Sequence, residues 1–183
     1  MRFISLYILM VLIFSSSAQA REEFWYMGMG AGTTFLEDRD NAFTSINNKG
    51  KTAKIYMGYR VSQYLAFEVD YAYLGRYDYV LRDVIVGEAV YQAPSFSILV
   101  MYPMGWDELE LITPVGVSFV NSDYGPKSGM LLGPRLGFGV AYTPTKHFTM
   151  RLTADVTVFE FEAVGEKFTQ NLVGTYFTLQ YNF

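Results

Sequence analysis

Val173-Gly174-Thr175-Tyr176-Phe177-Thr178-Leu179-Gln180-Tyr181-Asn182-Phe183 alternates with a period of two. Val173, Thr175, Phe177, Leu179, Tyr181 and Phe183 share one face, and Gly174, Tyr176, Thr178, Gln180 and Asn182 share the other. Side chains two apart on a β-strand point the same way, so this segment is a strand with one greasy side and one polar side. Soluble sandwiches contain such strands too. The weight comes from recurrence along the whole chain, behind what reads as an export signal.

Seven earlier segments carry the same pattern, at roughly 24–36, 52–61, 65–74, 90–102, 109–120, 130–142 and 147–159, with the eighth at 172–183. Each is close to the ~9–11 residues that a tilted strand needs to cross a bilayer. No period of 3.6 persists beyond the first twenty residues. One face of every segment is apolar, for example Ala53, Ile55, Met57, Tyr59 and Val61, or Leu65, Phe67, Val69, Tyr71 and Tyr73. No charge falls on that face. The opposite face holds Lys54, Arg60, Glu68, Asp70, Glu110, Arg135, Arg151 and Asp155, among glycines such as Gly28, Gly30, Gly32, Gly116, Gly133, Gly137 and Gly139.

That split decides between two barrels. A soluble eight-stranded carrier turns its bulky apolar face inward. Here the aromatic face is large, while the charged face is lined with glycine, as a narrow interior requires. A charge facing lipid at mid-membrane costs about 2–4 kcal/mol. The expected fold is therefore all-β, an eight-stranded antiparallel up-and-down transmembrane β-barrel with lipid outside. An open edge in hydrocarbon would strand unpaired N–H and C=O groups, so the sheet must close.

The connections agree. Residues 62–64, 103–108 and 143–146 are short turns, whereas 37–51, 75–89, 121–129 and 160–171 read as long loops. Strict alternation of short and long is the outer-membrane pattern, with short turns in the periplasm. Both ends of the barrel then lie on the periplasmic side. Trp25, Tyr59, Tyr102, Tyr142, Phe148, Tyr181 and Phe183 gather near the short-turn rim, and Phe35, Tyr73 and Phe119 near the other. These read as two interfacial girdles.

Residues 1–20 read as a cleaved signal peptide: Arg2, an apolar run from Phe3 to Phe14, and the small-x-small site Ala18-Gln19-Ala20. Residues 21–183 form the expected barrel domain. Without Arg2, the 14 basic side chains become 13 against 18 acidic, a net charge of −5. No basic patch for nucleic acid is visible. The chain has no cysteine, which excludes disulfides and thiolate metal sites. No cofactor is implied.

The stretch Gly58-Tyr59-Arg60-Val61-Ser62-Gln63-Tyr64-Leu65-Ala66-Phe67-Glu68-Val69-Asp70-Tyr71-Ala72-Tyr73-Leu74-Gly75-Arg76 closely resembles the second hairpin of the OmpA-type outer-membrane barrel family. Trp25-Tyr26, Tyr102-Pro103, Gly139-Val140-Ala141-Tyr142, Arg151-Leu152 and Tyr181-Asn182-Phe183 extend the likeness. The resemblance implies residence in the bacterial outer membrane, beside its lipid and lipopolysaccharide. It also implies that Phe183 is a signal to the outer-membrane assembly machinery. The sequence stops at the barrel, so the peptidoglycan-binding domain of longer members is not carried over. In the family, an interior Glu and an interior Arg pair across the lumen, and these map onto Glu68 and Arg151. Other interior charges of the family fall at Leu99, Pro114, Ala141 and Thr153, so its charge cluster is thinned here.

Counting from the short turns places Glu68 and Arg151 at similar depth on facing strands. Arg135 and Asp155 lie level on adjacent strands, and Asp70 is within reach of either Arg. Buried charges require partners. Two roles stay open for these five residues: a structural plug, or a gate for water or small ions. The only histidine, His147, lies beside a short turn without a serine partner and reads as a rim residue rather than a lipid-modifying catalyst. Glu37-Asp38-Arg39-Asp40-Asn41 fits no calcium loop and reads as a solvated loop. The stretch with Tyr77, Tyr79, Val80, Val84, Ile85 and Val86 is apolar for a loop tip, and either extends the hairpin above the membrane or forms an adhesive surface. Pro94 is expected near the upper rim, while Pro114 falls mid-strand, where a ladder hydrogen bond is lost. The expected role is structural or surface-interacting through the external loops, with a narrow pore as the alternative.

Overall fold

The computed structural model describes residues 24–38, 43–46, 49–81, 85–106, 108–123, 128–163 and 166–183. These form β1 (Phe24–Asp38), β2 (Phe43–Ile46), β3 (Lys49–Ser62), β4 (Leu65–Leu81), β5 (Ile85–Pro103), β6 (Leu109–Asp123), β7 (Ser128–Thr145), β8 (Phe148–Ala163) and β9 (Glu166–Asn182). All but β2 are staves of a closed antiparallel ring, in the order β1–β3–β4–β5–β6–β7–β8–β9. The ring shuts through β1 and β9, from Tyr26↔Asn182 to Asp38↔Gln170. The expected eight-stranded barrel is the fold.

Its membrane zone is apolar outside and charged inside. Met29, Ile55, Val69, Leu136, Phe138 and Leu152 are exposed on the outer wall. Lys54, Arg60, Glu68, Asp70, Glu110, Arg135, Arg151 and Asp155 are buried within. Near the short-turn rim the Trp25 and Tyr59 rings lie 5.0 Å apart, and those of Tyr181 and Phe183 lie 5.3 Å apart.

The long loops need correction. The ladders run on to Phe35↔Lys49, Leu81↔Ile85, Asp123↔Ser128 and Ala163↔Glu166, so most of 75–89, 121–129 and 160–171 is strand. β5 has 19 residues, about twice what a crossing needs. The apolar alternation stops where lipid stops, but backbone pairing continues without lipid. The apolar stretch after Gly75 thus extends the β4–β5 hairpin above the membrane, although Val84 lies outside the described residues.

Above the membrane the wall reverses its polarity. The hinge of the reversal is a bulge between Tyr73 and Gly75 on β4, where Gly75 has φ 114°. Leu74 and Gly75 are both buried, so the alternation changes phase: Arg76 is exposed and Tyr77 is inside. A side chain at Gly75 would be strained in that conformation and would crowd Gly50 Cα at 3.1 Å. The Tyr77 hydroxyl donates to Thr34 Oγ1 at 2.6 Å, and the Thr34 hydroxyl donates to the Leu74 carbonyl. Above this level Glu37, Asp78, Asn121 and Glu160 point outward, and Leu36, Tyr91, Val120, Phe159 and Leu172 fill the interior. β2 extends the same ladder, pairing Ile46↔Tyr79 and Phe43↔Leu81 on β4 beyond the last β3 partner, Ala53↔Tyr73.

Pro94 and Pro114 sit at ladder gaps. The β5–β6 ladder lapses between Gln92↔Asn121 and Ser95↔Ser118, around Pro94. The β6–β7 ladder lapses between Ile112↔Gly139 and Val115↔Leu136, around Pro114. Each gap lies where the missing N–H would have donated. Gly137 makes room for the mid-strand ring, since a Cβ there would stand 2.9 Å from Pro114 Cγ.

Candidate functional site

Among the described residues, the buried ionisable groups gather in the lumen. Each stave contributes every second residue to it, and glycines keep its walls close enough for side chains to meet across. Tyr26 stands opposite Gly58 and Tyr56 opposite Gly28 on the β1–β3 ladder, and each ring lies over the glycine facing it.

The contents form layers. At the short-turn end a cavity of about 720 Å³ opens inward, lined by Phe24, Arg60, Glu110, His147, Gln180 and others, and ends at Tyr26 and Arg151. On its wall Arg60 bonds Glu110 through two nitrogens, at 2.8 and 3.0 Å, and also donates to the Ser62 and Gln63 carbonyls. Deeper, Arg151 Nη1 lies 2.7 Å from Glu68 Oε2, and the Tyr26 hydroxyl donates to the same oxygen at 3.2 Å. The Arg151 guanidinium lies 4.9 Å from the Tyr26 ring centroid and 5.0 Å from that of Tyr56, within cation–π range. Next, Arg135 bridges Asp155 and Asp70, each at 2.5 Å. Lys54 joins this level with its ammonium 4.4 Å from the Tyr176 ring centroid. The void between these groups is about 10 Å³, close to the space one water occupies.

Charge balances within each layer. Arg60 faces Glu110, and the three cations Lys54, Arg135 and Arg151 face the three anions Glu68, Asp70 and Asp155. Neutrality and dense hydrogen bonding offset the desolvation that a buried charge otherwise suffers. Above the ions the lumen turns apolar: the Tyr77 and Tyr91 rings lie 5.6 Å apart, and those of Tyr91 and Phe159 lie 5.8 Å apart.

All five residues singled out by sequence face this interior. Glu68 meets Arg151, Arg135 meets Asp155, and Asp70 bonds Arg135. Leu99, Pro114, Ala141 and Thr153 also face inward and are buried. Sequence reasoning placed Lys54, Arg60 and Glu110 on the inner face but gave them no partners. The inward charge was the signal, and the pairing depends on stagger around the ring. His147 is exposed at the short-turn rim, its ring stacked on Tyr181 at 5.8 Å and its Nδ1 3.1 Å from the Asn182 carbonyl oxygen. Glu37 and Asp38 end β1, whereas residues 39–41 and the expected signal peptide 1–20 lie outside the described residues.

Residues 20–157 match the family described as the OmpA-like transmembrane domain. Outer membrane protein A of Klebsiella aerogenes is 30% identical over 153 residues, an alignment covering 76% of this chain and 43% of that protein. Outer membrane protein A of Yersinia pseudotuberculosis is 29% identical over 157 residues, with the same coverage of 76% and 43%. The chain thus spans less than half the length of these relatives. Neisserial surface protein A shares the fold with a TM-score of 0.66 at 15% identity, covering 89% of this chain and 100% of that one. OprG of Pseudomonas aeruginosa gives 0.58 at 8% identity, covering 91% and 98%. A charged lumen, a greasy exterior and a sequence match over most of the barrel converge: the chain belongs to the OmpA-like transmembrane domain family and resides in the bacterial outer membrane.

Proposed function

We propose that this barrel is a non-conducting scaffold that holds its extended hairpins outside the cell as a contact surface. The carrying observation is the apolar layer of Tyr77, Tyr91 and Phe159 over neutral, interlocked ion pairs. Ions and water need polar partners along their whole path, and a packed aromatic section offers few. The polar outer wall above the membrane supports a rigid post for surface recognition rather than a set of loose loops. His147, engaged with Asn182 and Tyr181 at the short-turn rim, favours a non-enzymatic role.

The alternative is a narrow pore. The cavity of about 720 Å³ favours it, because the cavity reaches Arg151 from the periplasmic end. Conduction would still require the ion pairs to exchange and the aromatic layer to part. Single-channel recording of the full chain in planar bilayers separates the two readings. A scaffold gives no current steps. Discrete steps from the unaltered protein would overturn the scaffold.

A further inference from the structure

The cavity at the short-turn end carries a continuous run of hydrogen bonds along β7, β8 and β9. Thr143 Oγ1 lies 3.1 Å from Thr149 Oγ1, Asn182 Nδ2 donates to Thr149 Oγ1 at 3.1 Å, and Gln180 Nε2 donates to Asn182 Oδ1 at 2.5 Å. The run ends at Gln180 Oε1, an acceptor without a partner. Arg151, at the inner end of the cavity, has an equally unpaired Nε–H. Both residues line the cavity, and they are only 4% and 6% exposed. Thr149↔Gln180 and Arg151↔Thr178 are successive inward pairs of the β8–β9 ladder, so the open acceptor and the open donor belong to neighbouring side chains. A buried polar group without a partner costs free energy that a bound partner recovers.

The rest of the lining narrows the choice of partner. Met101 on β5 and Ile112 on β6 give it buried apolar surface, and the half-buried Phe24 ring stands on β1. Charge is already balanced there. Arg60 is held by Glu110, Arg151 by Glu68, and Lys146 and Glu108 offset each other at the exposed rim. An ion entering the cavity meets no surplus of opposite charge.

We infer that this cavity binds a neutral saccharide of one or two rings. A single sugar hydroxyl donates to Gln180 Oε1 and accepts from Arg151 Nε–H, because an O–H does both at one atom. Both partners sit on long side chains whose terminal torsions turn them to the ligand. Further hydroxyls meet Thr143, Thr149 and Asn182, and the C–H faces of the ring lie on Phe24, Met101 and Ile112. The volume of about 720 Å³ suits such a solute, since small-ligand sites hold ~300–1,000 Å³. The site stops at the Arg151 layer, so the inference is independent of whether the lumen conducts.

The test is an NMR titration of the full barrel in alkyl phosphocholine micelles, which carry no sugar headgroup to fill the site. Glucose, N-acetylglucosamine and trehalose are the probes. At least one should bind saturably and shift the side-chain amide signals of Gln180 and Asn182, while β4 and β5 above Gly75 stay unmoved. Gln180→Leu removes the acceptor at similar volume and should weaken that sugar about tenfold or more. Phe24→Ala removes the stacking face and should weaken it too, which gives a second reading on a different strand. Heat-dependent gel mobility confirms that each variant is folded. No saturable shift with any of the three sugars would mean that the cavity holds water alone, and overturns the inference. Sugar binding that both folded variants retain in full does so as well.

Discussion

Arg60 on β3 holds both carboxylate oxygens of Glu110 on β6, strands that do not adjoin in the ring. The pair therefore ties two walls of the barrel together across its base, with the paired geometry that makes Arg–carboxylate contacts strong. It borders the large cavity, so water can relieve a lost partner. Glu110→Ala should cost about 2 kcal/mol, less than the ~3–5 kcal/mol of a fully enclosed pair. Urea unfolding in lipid vesicles, followed by tryptophan fluorescence, measures the difference.

Glu68, unlike Glu110, does not line the large cavity, and there the full penalty applies. Arg151→Ala should destabilise by about 3–5 kcal/mol, because Glu68 is left buried with only the Tyr26 hydroxyl. Replacing both partners together, Glu68→Leu with Arg151→Met, should cost far less than the single change. An unshifted unfolding temperature of Arg151→Ala in detergent would refute the pairing.

Gly28 and Gly58 seat the two tyrosines that flank Arg151. A Cβ at Gly58 would strike the Tyr26 ring, and one at Gly28 the Tyr56 ring. Gly58→Val should therefore cost about 1–3 kcal/mol by overpacking, although valine favours strands. Met57→Val, one residue away and facing lipid, should cost much less. Comparing the two unfolding temperatures on gels isolates the inward effect from strand propensity.

Gly75→Ala forces a side chain into the left-handed region and should cost about 1–2 kcal/mol. The damage should stay local. Hydrogen exchange should quicken in β4 and β5 above residue 75, while amides around Glu68 and Arg151 keep their protection. Uniform loosening of both halves would show that the bulge supports the whole barrel.

The membrane zone was legible because every stave between Trp25 and Phe183 divides two opposed environments. Counting by twos therefore separated Ile55 from Lys54 and Val69 from Asp70. Counting up from the short turns also brought Glu68 level with Arg151. Arg60 and Glu110 escaped, since their meeting depends on how far each strand slides past the next around a closed ring. The count stopped at Leu74. A single extra inward residue at the bulge exchanged the sides of Arg76 and Tyr77, and nothing in local composition announces which glycine will bulge. The loops looked long because polar residues on the outer face and apolar ones within imitate a soluble sheet, not a membrane strand.

β2 takes the hydrogen-bonding slot on β4 that β3 leaves empty above Ala53. An unoccupied slot there would present bare amides and carbonyls to the medium and invite another polypeptide to add itself as a strand. With the slot filled from within the same chain, that route is closed along the paired stretch of β4. Whatever touches this part of the tip must read its side chains, so changes of surface residues, rather than of backbone, should govern which partners it accepts.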